Sequence, residues 1–400
     1  MGKNEEKRPK YIEGVGWRYD TEHSMTRRME EHDYLSRSIY MITMTVADRK
    51  PLLGRVRWTA DDGSDAYVEA TQLGAEVERC WYEISTHYPE VKVLAFQLMP
   101  DHVHGLLFVT REMETHIGKV LKGFKIGCSR AWWGLNALNY NSTHNTKGGA
   151  THNTKGEATH NTKVGATHNT RGGATHNTKG GATHNTKGEA THEATLRTPL
   201  FSSGYQDSVL TGKGQLEHMF RYIEDNPRRL AVKRLKPDLF RVVSNLSVGG
   251  MNFSAIGNHW LLDRPQRMQV RCHSNTTPEN LRLIERQKEY FLNRGRKGGV
   301  IVSPCISAGE KEVARAALNA GVPLVVILEN GFPPMYKPPG KYFEACAKGM
   351  LLMLSPWPYH TERKKITRIQ CLALNDMAYS LCTEPWTPEL EAQMRNVTLE

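Results

Sequence analysis

The sequence predicts an α+β domain followed by an α/β domain, and three features of the chain predict this. First, residues 34–240 mix short strands with amphipathic helices around an apolar segment that carries two histidines. Second, an eight-residue polar repeat at 142–195 interrupts this region and has no apolar face. Third, apolar runs alternate with a helical stretch after Pro237, which is typical of buried parallel strands.

The composition favours a polyanionic partner and excludes a membrane span. The 400 residues carry a net charge of +11 and a pI near 9.2, which suits nucleic acid. No run approaches the roughly 18 apolar residues that a membrane span needs, so we expect no membrane partner. Residues 1–33 are polar and predict a loose arm. The seven cysteines are scattered and lack a Cys-x-x-Cys pair, which favours the cytoplasm.

Two histidines separated by one valine form the first candidate site. The apolar residues that lead into and out of this segment predict a strand. Because side chains alternate faces along a strand, His102 and His104 share one face while Val103 points into the core. Two imidazoles about 7 Å apart can bind one divalent cation. Asp101 is predicted to be a turn residue or to support a ligand, and a lone His-x-His pair is also common in ordinary strands.

A tyrosine on an amphipathic helix forms the second candidate site. Apolar residues recur at helical spacing: Leu216, Met219, Phe220 and Ile223. They predict a helix from Gly214 onward, with Tyr222 beside the apolar stripe and Asn226 four residues further on the same side. Pro227 disfavours helical geometry at Asn226, so we expect the helix to end there. A tyrosine in this position can also be a simple interface aromatic.

Taken together, the His-hydrophobe-His strand and the Tyr-Ile-x-x-Asn-Pro helix resemble the single-tyrosine HUH transposases, in particular the REP-associated tyrosine transposases. The segments 39–54 and 204–210 resemble the corresponding parts of those proteins. The resemblance covers about residues 35–235 without the repeat. It implies an HUH-endonuclease fold over 34–240, in which helices pack on an antiparallel sheet of ferredoxin or RRM-like type.

This resemblance also implies a chemistry. His102 and His104 would bind Mg²⁺ or Mn²⁺, and Asn226 matches the position of a third, oxygen ligand. Tyr222 would attack the DNA backbone, forming a 5′-phosphotyrosine and freeing a 3′-hydroxyl, with Tyr205 as the rival nucleophile. The implied partner is single-stranded or hairpin DNA, and a homodimer stays open.

Basic residues near these motifs are candidate DNA contacts. A helix predicted over 117–133 places several basic side chains on its outer face, and two arginines follow the tyrosine helix. The candidates are Lys119, Lys122, Lys125, Arg130, Arg228 and Arg229. A merely solvated face is the alternative. The repeat at 142–195 is predicted to be a disordered insertion produced by tandem duplication.

The region 241–400 predicts a Rossmann-like accessory domain. Strands are expected at 300–303, 322–328 and 351–354, with a crossover helix over 308–320. A phosphate or nucleotide site is predicted where strand ends meet a helix N-terminus, from Gly298, Gly299, Ser303 and Ser307. Residues 250–385 resemble the Rossmann-like domain of the DNA-processing protein DprA, which implies an accessory module for single-stranded DNA or a nucleotide. A fold relic without a ligand is the alternative.

Two other functions are compatible with parts of the sequence. A DNA-binding protein domesticated from a transposase would keep the fold without cutting, although its His102, His104 and Tyr222 would then have no role. A zinc hydrolase built on His-x-His would need further ligands close by, but positions 106 and 107 are both leucine. The transposase interpretation therefore explains more features of the sequence than either alternative.

Overall fold

The computed structural model describes residues 10–13, 16–18, 29, 31–148, 198–272, 277–362 and 364–396. These residues form two compact units, the first from 10–59 and 65–228 and the second from 60–64 and 229–396. The sequence places a domain boundary at 240, whereas the units divide after Arg228. The difference arises because Val232 and Phe240 pack against Phe343 in the core of the second unit.

The first unit is an α+β structure. Its strands are β1 (Lys10–Ile12), β2 (Gly16–Arg18), β3 (Ser38–Thr45), β4 (Gly54–Arg57), β5 (Tyr67–Ala70), β6 (Val91–Met99), β7 (His102–Val109) and β8 (Gln206–Val209). Its helices are α1 (Gln72–Tyr82), α2 (Ile84–His87), α3 (Ile117–Gly148) and α4 (Gln215–Glu224). The main sheet has the order β6-β7-β3-β8 and is antiparallel throughout. This confirms the predicted fold class.

The two faces of this sheet are covered by different helices. On one face, Val103 and Leu107 belong to the main core, together with Trp81 of α1 and Phe124 of α3. On the other face, Met41 and Leu106 pack against Ile223 of α4 in a smaller apolar cluster. The alternation of side chains along β7 therefore places the histidines on the α4 face.

Gly105 on β7 allows a close approach between the sheet and α1. A Cβ at this position would lie 2.1 Å from the Trp81 ring, so no larger residue fits without a shift. The ring of Trp81 is fully buried and also contacts Phe96 and Phe124. The strand that carries the histidines is thus pressed against the core directly beneath them.

Several predicted elements differ from those observed. The histidine segment is a hairpin of two strands that turns at Pro100–Asp101, not one strand. Part of the helical stretch predicted after residue 66 is β5, and α4 ends at Glu224, so that Asn226 begins the next helix. At the hairpin, Pro100 and Asp101 do mark the turn in the sequence, since both residue types favour tight turns.

Two predicted flexible segments are partly structured. Within the arm predicted at 1–33, β1 and β2 pair in an antiparallel ribbon. Helix α3 continues to Gly148, past the predicted end at Trp133 and into the start of the insertion predicted at 142–195. The rest of that insertion up to residue 197 lies outside the described residues.

The second unit is a mixed α/β sheet. Its helices are α5 (Asn226–Leu235, beginning in the first unit), α6 (Pro237–Phe240), α7 (Pro278–Arg296), α8 (Ala308–Ala320), α9 (Gly340–Ala347), α10 (Arg368–Leu381) and α11 (Pro388–Asn396). Its strands are β9 (Val243–Val248), β10 (Met251–Gly257), β11 (Arg267–Gln269), β12 (Val300–Ser303), β13 (Leu324–Ile327) and β14 (Leu351–Ser355). The sheet order is β11-β12-β13-β14-β10-β9.

Strands β11 to β14 are parallel, and β10 and β9 extend the sheet in antiparallel fashion. Helix α8 and strand β12 have the predicted bounds, because a serine cap and a glycine mark the helix ends clearly. The predicted βαβ organisation is therefore observed. None of the helices in the described ranges combines the length and apolar character that a membrane span requires.

Candidate functional site

The two histidines of β7 lie side by side on the α4 face of the main sheet. The ring centroids of His102 and His104 are 4.8 Å apart and the rings are nearly perpendicular. His104 is 5% exposed, whereas Val103 between them is fully buried on the opposite face. The structure thus brings the pair together as the alternation along the strand predicts, at a shorter separation than the expected 7 Å.

Hydrogen bonds orient both imidazole rings through the same atom. The Nδ1 atom of His104 is 2.8 Å from Oγ1 of Thr43, its direct neighbour on β3. The Nδ1 of His102 is 2.7 Å from Oδ1 of Asp101, and since a carboxylate only accepts, Nδ1 donates. A cation bound by this pair would therefore be bound through Nε2. The hydrogen bond to Asp101 agrees with the supporting role predicted for that residue.

Tyr222 contacts this pair from the helix that covers it. Helix α4 packs on the sheet through Ile223. The neighbouring residue Tyr222 places its ring centroid 5.6 Å from that of His104. Tyr222 is 37% exposed, which leaves the phenol accessible to a large substrate. Two motifs about 120 residues apart in the sequence thus meet at one place.

The remaining predicted site residues differ in their surroundings. Asn226 lies one turn beyond Tyr222, and its Nδ2 donates to the Tyr222 carbonyl oxygen at 2.8 Å. This bond uses the amide nitrogen and leaves Oδ1 as the atom that suits a metal. The rival Tyr205 is 8% exposed and belongs to the main core with Phe201, so the structure does not bring it to the histidines as a nucleophile.

Two residues at the site were missed in the sequence. Gln97 lies directly opposite His104 on β6 and shares its face, with Nε2 donating to the Leu98 carbonyl oxygen at 2.8 Å. Arg49 lies 3.3 Å from Asp101 and is described further below. The hairpin supplies the signal for Gln97, because pairing 97 with 104 requires knowing that the strand turns at Pro100.

The donor set fits a weakly held Mg²⁺ or Mn²⁺ ion. Two imidazole nitrogens are present, and an amide oxygen of Asn226 or Gln97 would be the type of ligand that completes the set. Among the described residues there is no group of three or more His, Cys, Asp or Glu side chains that could hold a metal. Because this set is neutral, we expect the negative charge to come from the substrate. A zinc hydrolase, which needs further acidic or histidine ligands, is not supported.

The predicted basic face of α3 is only partly exposed. Lys119, Lys122 and Arg130 are exposed, but Lys125 turns inward and donates to the carbonyl oxygens of Ser202 (2.5 Å) and Gly204 (3.1 Å). Burial lowers the pKa of Lys125 from its ordinary value. The structure therefore does not place Lys125 on the exposed basic face predicted to contact DNA, because its ammonium group holds the loop before β8.

The two arginines after the tyrosine helix are also engaged within the protein. Arg228 pairs with Asp225, the residue that follows α4, at 2.5 Å. Arg229 stacks on the Phe343 ring at 3.8 Å and donates to the Pro338 carbonyl oxygen at 3.2 Å. A packing role explains Arg229 without DNA.

The structure does not bring together the four residues predicted to form a phosphate site in the second unit. Gly298 and Gly299 precede β12, whereas Ser303 ends it and Ser307 follows, so the two halves lie at opposite ends of the strand. The N-terminus of α8 is also already satisfied.

The carboxylate of Glu310 accepts from the Ile306 and Ser307 N–H groups at 2.7 and 3.0 Å, and Ser307 Oγ accepts from Glu310 N–H. Glu310 is 2% exposed, and burial raises its pKa. A phosphate at this turn would meet a carboxylate in place of free N–H donors.

Comparisons with known proteins agree with the fold only in parts of the chain. No family model matches. An uncharacterised protein of Haemophilus influenzae is 25% identical over 92 residues, which is 23% of this chain and 47% of that protein, so the match spans about half of the relative's length. The resemblance to the single-tyrosine HUH transposases therefore stays a prediction.

Several solved structures resemble parts of this chain. A REP-associated tyrosine transposase bound to a REP hairpin covers 50% of this chain and 72% of its own, with 10% identity and a TM-score of 0.26. DprA of Streptococcus pneumoniae covers 43% and 60%, with 18% identity and a TM-score of 0.26. DprA of Helicobacter pylori, described by its single-stranded DNA binding mode, covers 35% and 65%, with 16% identity and a TM-score of 0.25. These are likenesses of fold.

Proposed function

We propose that this chain is a metal-dependent transposase of the single-tyrosine HUH type, which cuts and rejoins single-stranded or hairpin DNA. The observation that carries this proposal is the contact between Tyr222 and His104, at 5.6 Å between ring centroids, beside the paired His102. An exposed phenol next to two oriented imidazoles supplies both an attacking group and a cation site. The seven cysteines, all free thiols, suit the reducing cytoplasm.

The side chains of the site have separate roles in this proposal. His102 and His104 would hold Mg²⁺ or Mn²⁺ through Nε2, and Asn226 would add its amide oxygen. The bound ion would supply positive charge against the scissile phosphate, which otherwise repels a nucleophile. Thr43 and Asp101 keep the rings turned so that Nε2 faces the substrate side.

Tyr222 would perform the covalent step. Its phenol oxygen loses a proton and bonds to phosphorus, while the bond from phosphorus to the 3′-oxygen breaks and that oxygen gains a proton. The products are a 5′-phosphotyrosine and a free 3′-hydroxyl. Attack of a DNA 3′-hydroxyl on the phosphotyrosine reverses these changes and rejoins the strand without ATP.

Exposed basic residues of α3 would contact the DNA backbone. Lys119, Lys122 and Arg130 are the candidates that the structure leaves exposed. Replacing all three with alanine should flatten the dependence of log affinity on log salt by about two, from the loss of three phosphate contacts. An unchanged slope would remove them from the interface.

A covalent adduct tests the proposed function directly. End-labelled single-stranded hairpin DNA is incubated with Mg²⁺ or Mn²⁺ and wild-type protein, Tyr222→Phe or Tyr205→Phe, then resolved on denaturing gels. Wild type and Tyr205→Phe should form a protease-sensitive adduct, and Tyr222→Phe should form none. Hairpin binding without any adduct in the wild type would contradict the proposal and favour the non-cleaving DNA-binding alternative.

A further inference from the structure

A short strained turn lies next to the histidine pair. Asp48 and Arg49 both adopt left-handed backbone angles, with φ of 56° and 54°, in the turn that follows β3. Residues other than glycine rarely adopt such backbone angles, and two such residues in succession need support from their surroundings. That support is visible: Val46 N–H donates to the Asp101 carbonyl oxygen at 2.9 Å, and Ala47 N–H donates to that of Leu200 at 2.8 Å.

The strained turn directs Arg49 toward a buried carboxylate. Nη1 of Arg49 lies 3.3 Å from Oδ2 of Asp101, whose side chain is fully buried, while that of Arg49 is 24% exposed. The other carboxylate oxygen, Oδ1, accepts from Nδ1 of His102 at 2.7 Å. Asp101 thus bridges a guanidinium group and an imidazole, with one oxygen for each.

We propose that Arg49 is a positioning residue for the metal site and acts on His102 through Asp101. This inference rests on the proposed function in one respect only, namely that His102 is a metal ligand. A buried carboxylate needs a compensating cation, and without Arg49 it would turn toward other donors or water. His102 would then lose the hydrogen bond that fixes its ring and directs Nε2 outward. The strain at Asp48 and Arg49 is the structural cost of this placement.

Mn²⁺ binding in the absence of DNA tests this inference without using activity. Free Mn²⁺ is measured by electron paramagnetic resonance with the full chain at increasing Mn²⁺. Arg49→Gln should weaken Mn²⁺ binding about tenfold, and Arg49→Lys, which keeps the charge, should recover most of that loss. Arg57→Gln is the matched control. Arg57 forms an exposed ion pair with Glu69, with 2.7 Å between Nε and Oε2, in the separate β4–β5 ribbon. Its replacement should leave the Mn²⁺ affinity unchanged.

A second comparison separates positioning from general stabilisation. If Arg49 acts through Asp101, then Asp101→Asn should weaken Mn²⁺ binding by itself. Adding Arg49→Gln to Asp101→Asn should then change Mn²⁺ affinity less than twofold further. Additive losses in the double variant would overturn the inference. So would an Arg49→Gln protein that melts at a lower temperature but binds Mn²⁺ as the wild type does.

The outcomes also distinguish this inference from the proposed function. If Mn²⁺ binding by the wild-type protein does not depend on His104, the proposed role of Arg49 is contradicted, whatever the DNA assay shows. A wild type that binds Mn²⁺ and responds to Arg49→Gln as expected, but forms no DNA adduct, supports the positioning role and contradicts the covalent chemistry. Should Arg49→Gln fail to fold, the Arg49→Lys and Asp101→Asn variants decide the matter.

Discussion

The two units of this protein each gather polar side chains at a sheet, but they use them differently. In the first unit, His102 and His104 are hydrogen-bonded through Nδ1, and the exposed Tyr222 lies beside them. In the second unit, Ser307 and Glu310 satisfy the start of α8. A cluster of polar residues therefore indicates a site only when the protein backbone does not already bond to the polar atoms of those side chains.

Another part of the second unit shows the same behaviour. After β13, Asn330 Nδ2 donates to the His360 carbonyl oxygen at 2.9 Å, and Oδ1 of Asn330 accepts from His360 N–H at 2.9 Å. The His360 ring lies 3.1 Å from Glu329. These residues resemble a catalytic group in composition, yet the Asn330 side chain is used to hold one loop against the backbone of another. In the first unit, the contacts of the His102 and His104 rings with Asp101 and Thr43 are made by side chains.

Among the variants that test the difference between the two units, His104→Ala should have the largest effect, on DNA cleavage. Because His104 contacts both His102 and Tyr222, its removal should reduce DNA cleavage below detection while hairpin affinity changes only a few fold. Cleavage and binding are measured on the same labelled hairpin. His218→Ala, an exposed histidine on the same helix as Tyr222, is the control and should cleave normally. Full cleavage by His104→Ala would make the pair structural.

Gly105→Ala should have the next largest effect, on stability. The added methyl would meet the Trp81 ring at 2.1 Å, so we expect the free energy of unfolding to fall by about 1–3 kcal/mol. Urea unfolding followed by tryptophan fluorescence measures it. The matched control is Gly134→Ala on α3, where nothing lies within 4 Å and alanine should be neutral or stabilising by up to about 1 kcal/mol. Equal stability of the two variants would contradict tight packing under the histidines.

Glu310→Gln tests the burial of the carboxylate at the start of α8 through the pH dependence of protein stability. Burial raises the pKa of Glu310, so the folded state binds its proton more tightly than the unfolded state. Its favourable contribution is therefore present at low pH and is lost as pH rises through the folded pKa. Glutamine still serves the capping box but does not titrate. Relative to wild type, the variant should gain stability from acidic to neutral pH in chemical denaturation, and a constant difference would contradict the burial argument.

Asp48→Gly should have the smallest effect. Glycine adopts a φ of 56° without strain, so the variant should gain up to about 1 kcal/mol after its greater freedom in the unfolded chain is subtracted. Thermal unfolding measures the gain. Asp61→Gly, at an exposed turn residue without a positive φ, should instead lose stability. A loss in both variants would show that the turn is not strained.

Much of the fold was predictable because its signals are local. The alternation around Val103, the apolar stripe that ends at Ile223 and the capped helix α8 each depend on neighbouring residues. They predicted the shared face of the histidines, the docking face of the tyrosine helix and the bounds of α8. The proximity of Tyr222 to the histidines came from the family resemblance, since no spacing rule connects two motifs so far apart.

Most of the differences from the sequence analysis concern partners that are distant in sequence. Lys125 looked like an outward basic residue because its helix face is basic, but the loop that it holds begins 77 residues later. Ser307 was predicted to be part of a phosphate site, but it forms a local capping box with Glu310, three residues away. The role of Arg49 depends on Asp101, 52 residues away. For Lys125 and Arg49, a hydrogen bond between separate segments decided the outcome.

The lack of space for a side chain at Gly105 also disfavours mispairing of the hairpin. Strand pairing can slip by one residue, and such a slip exchanges the two faces of a strand. If β7 slid by one position along β3, His104 or Leu106 would stand over the Trp81 ring, where even a single methyl group does not fit. The indole therefore rejects the slipped alternatives during folding, and the two histidines reach the α4 face in only one alignment.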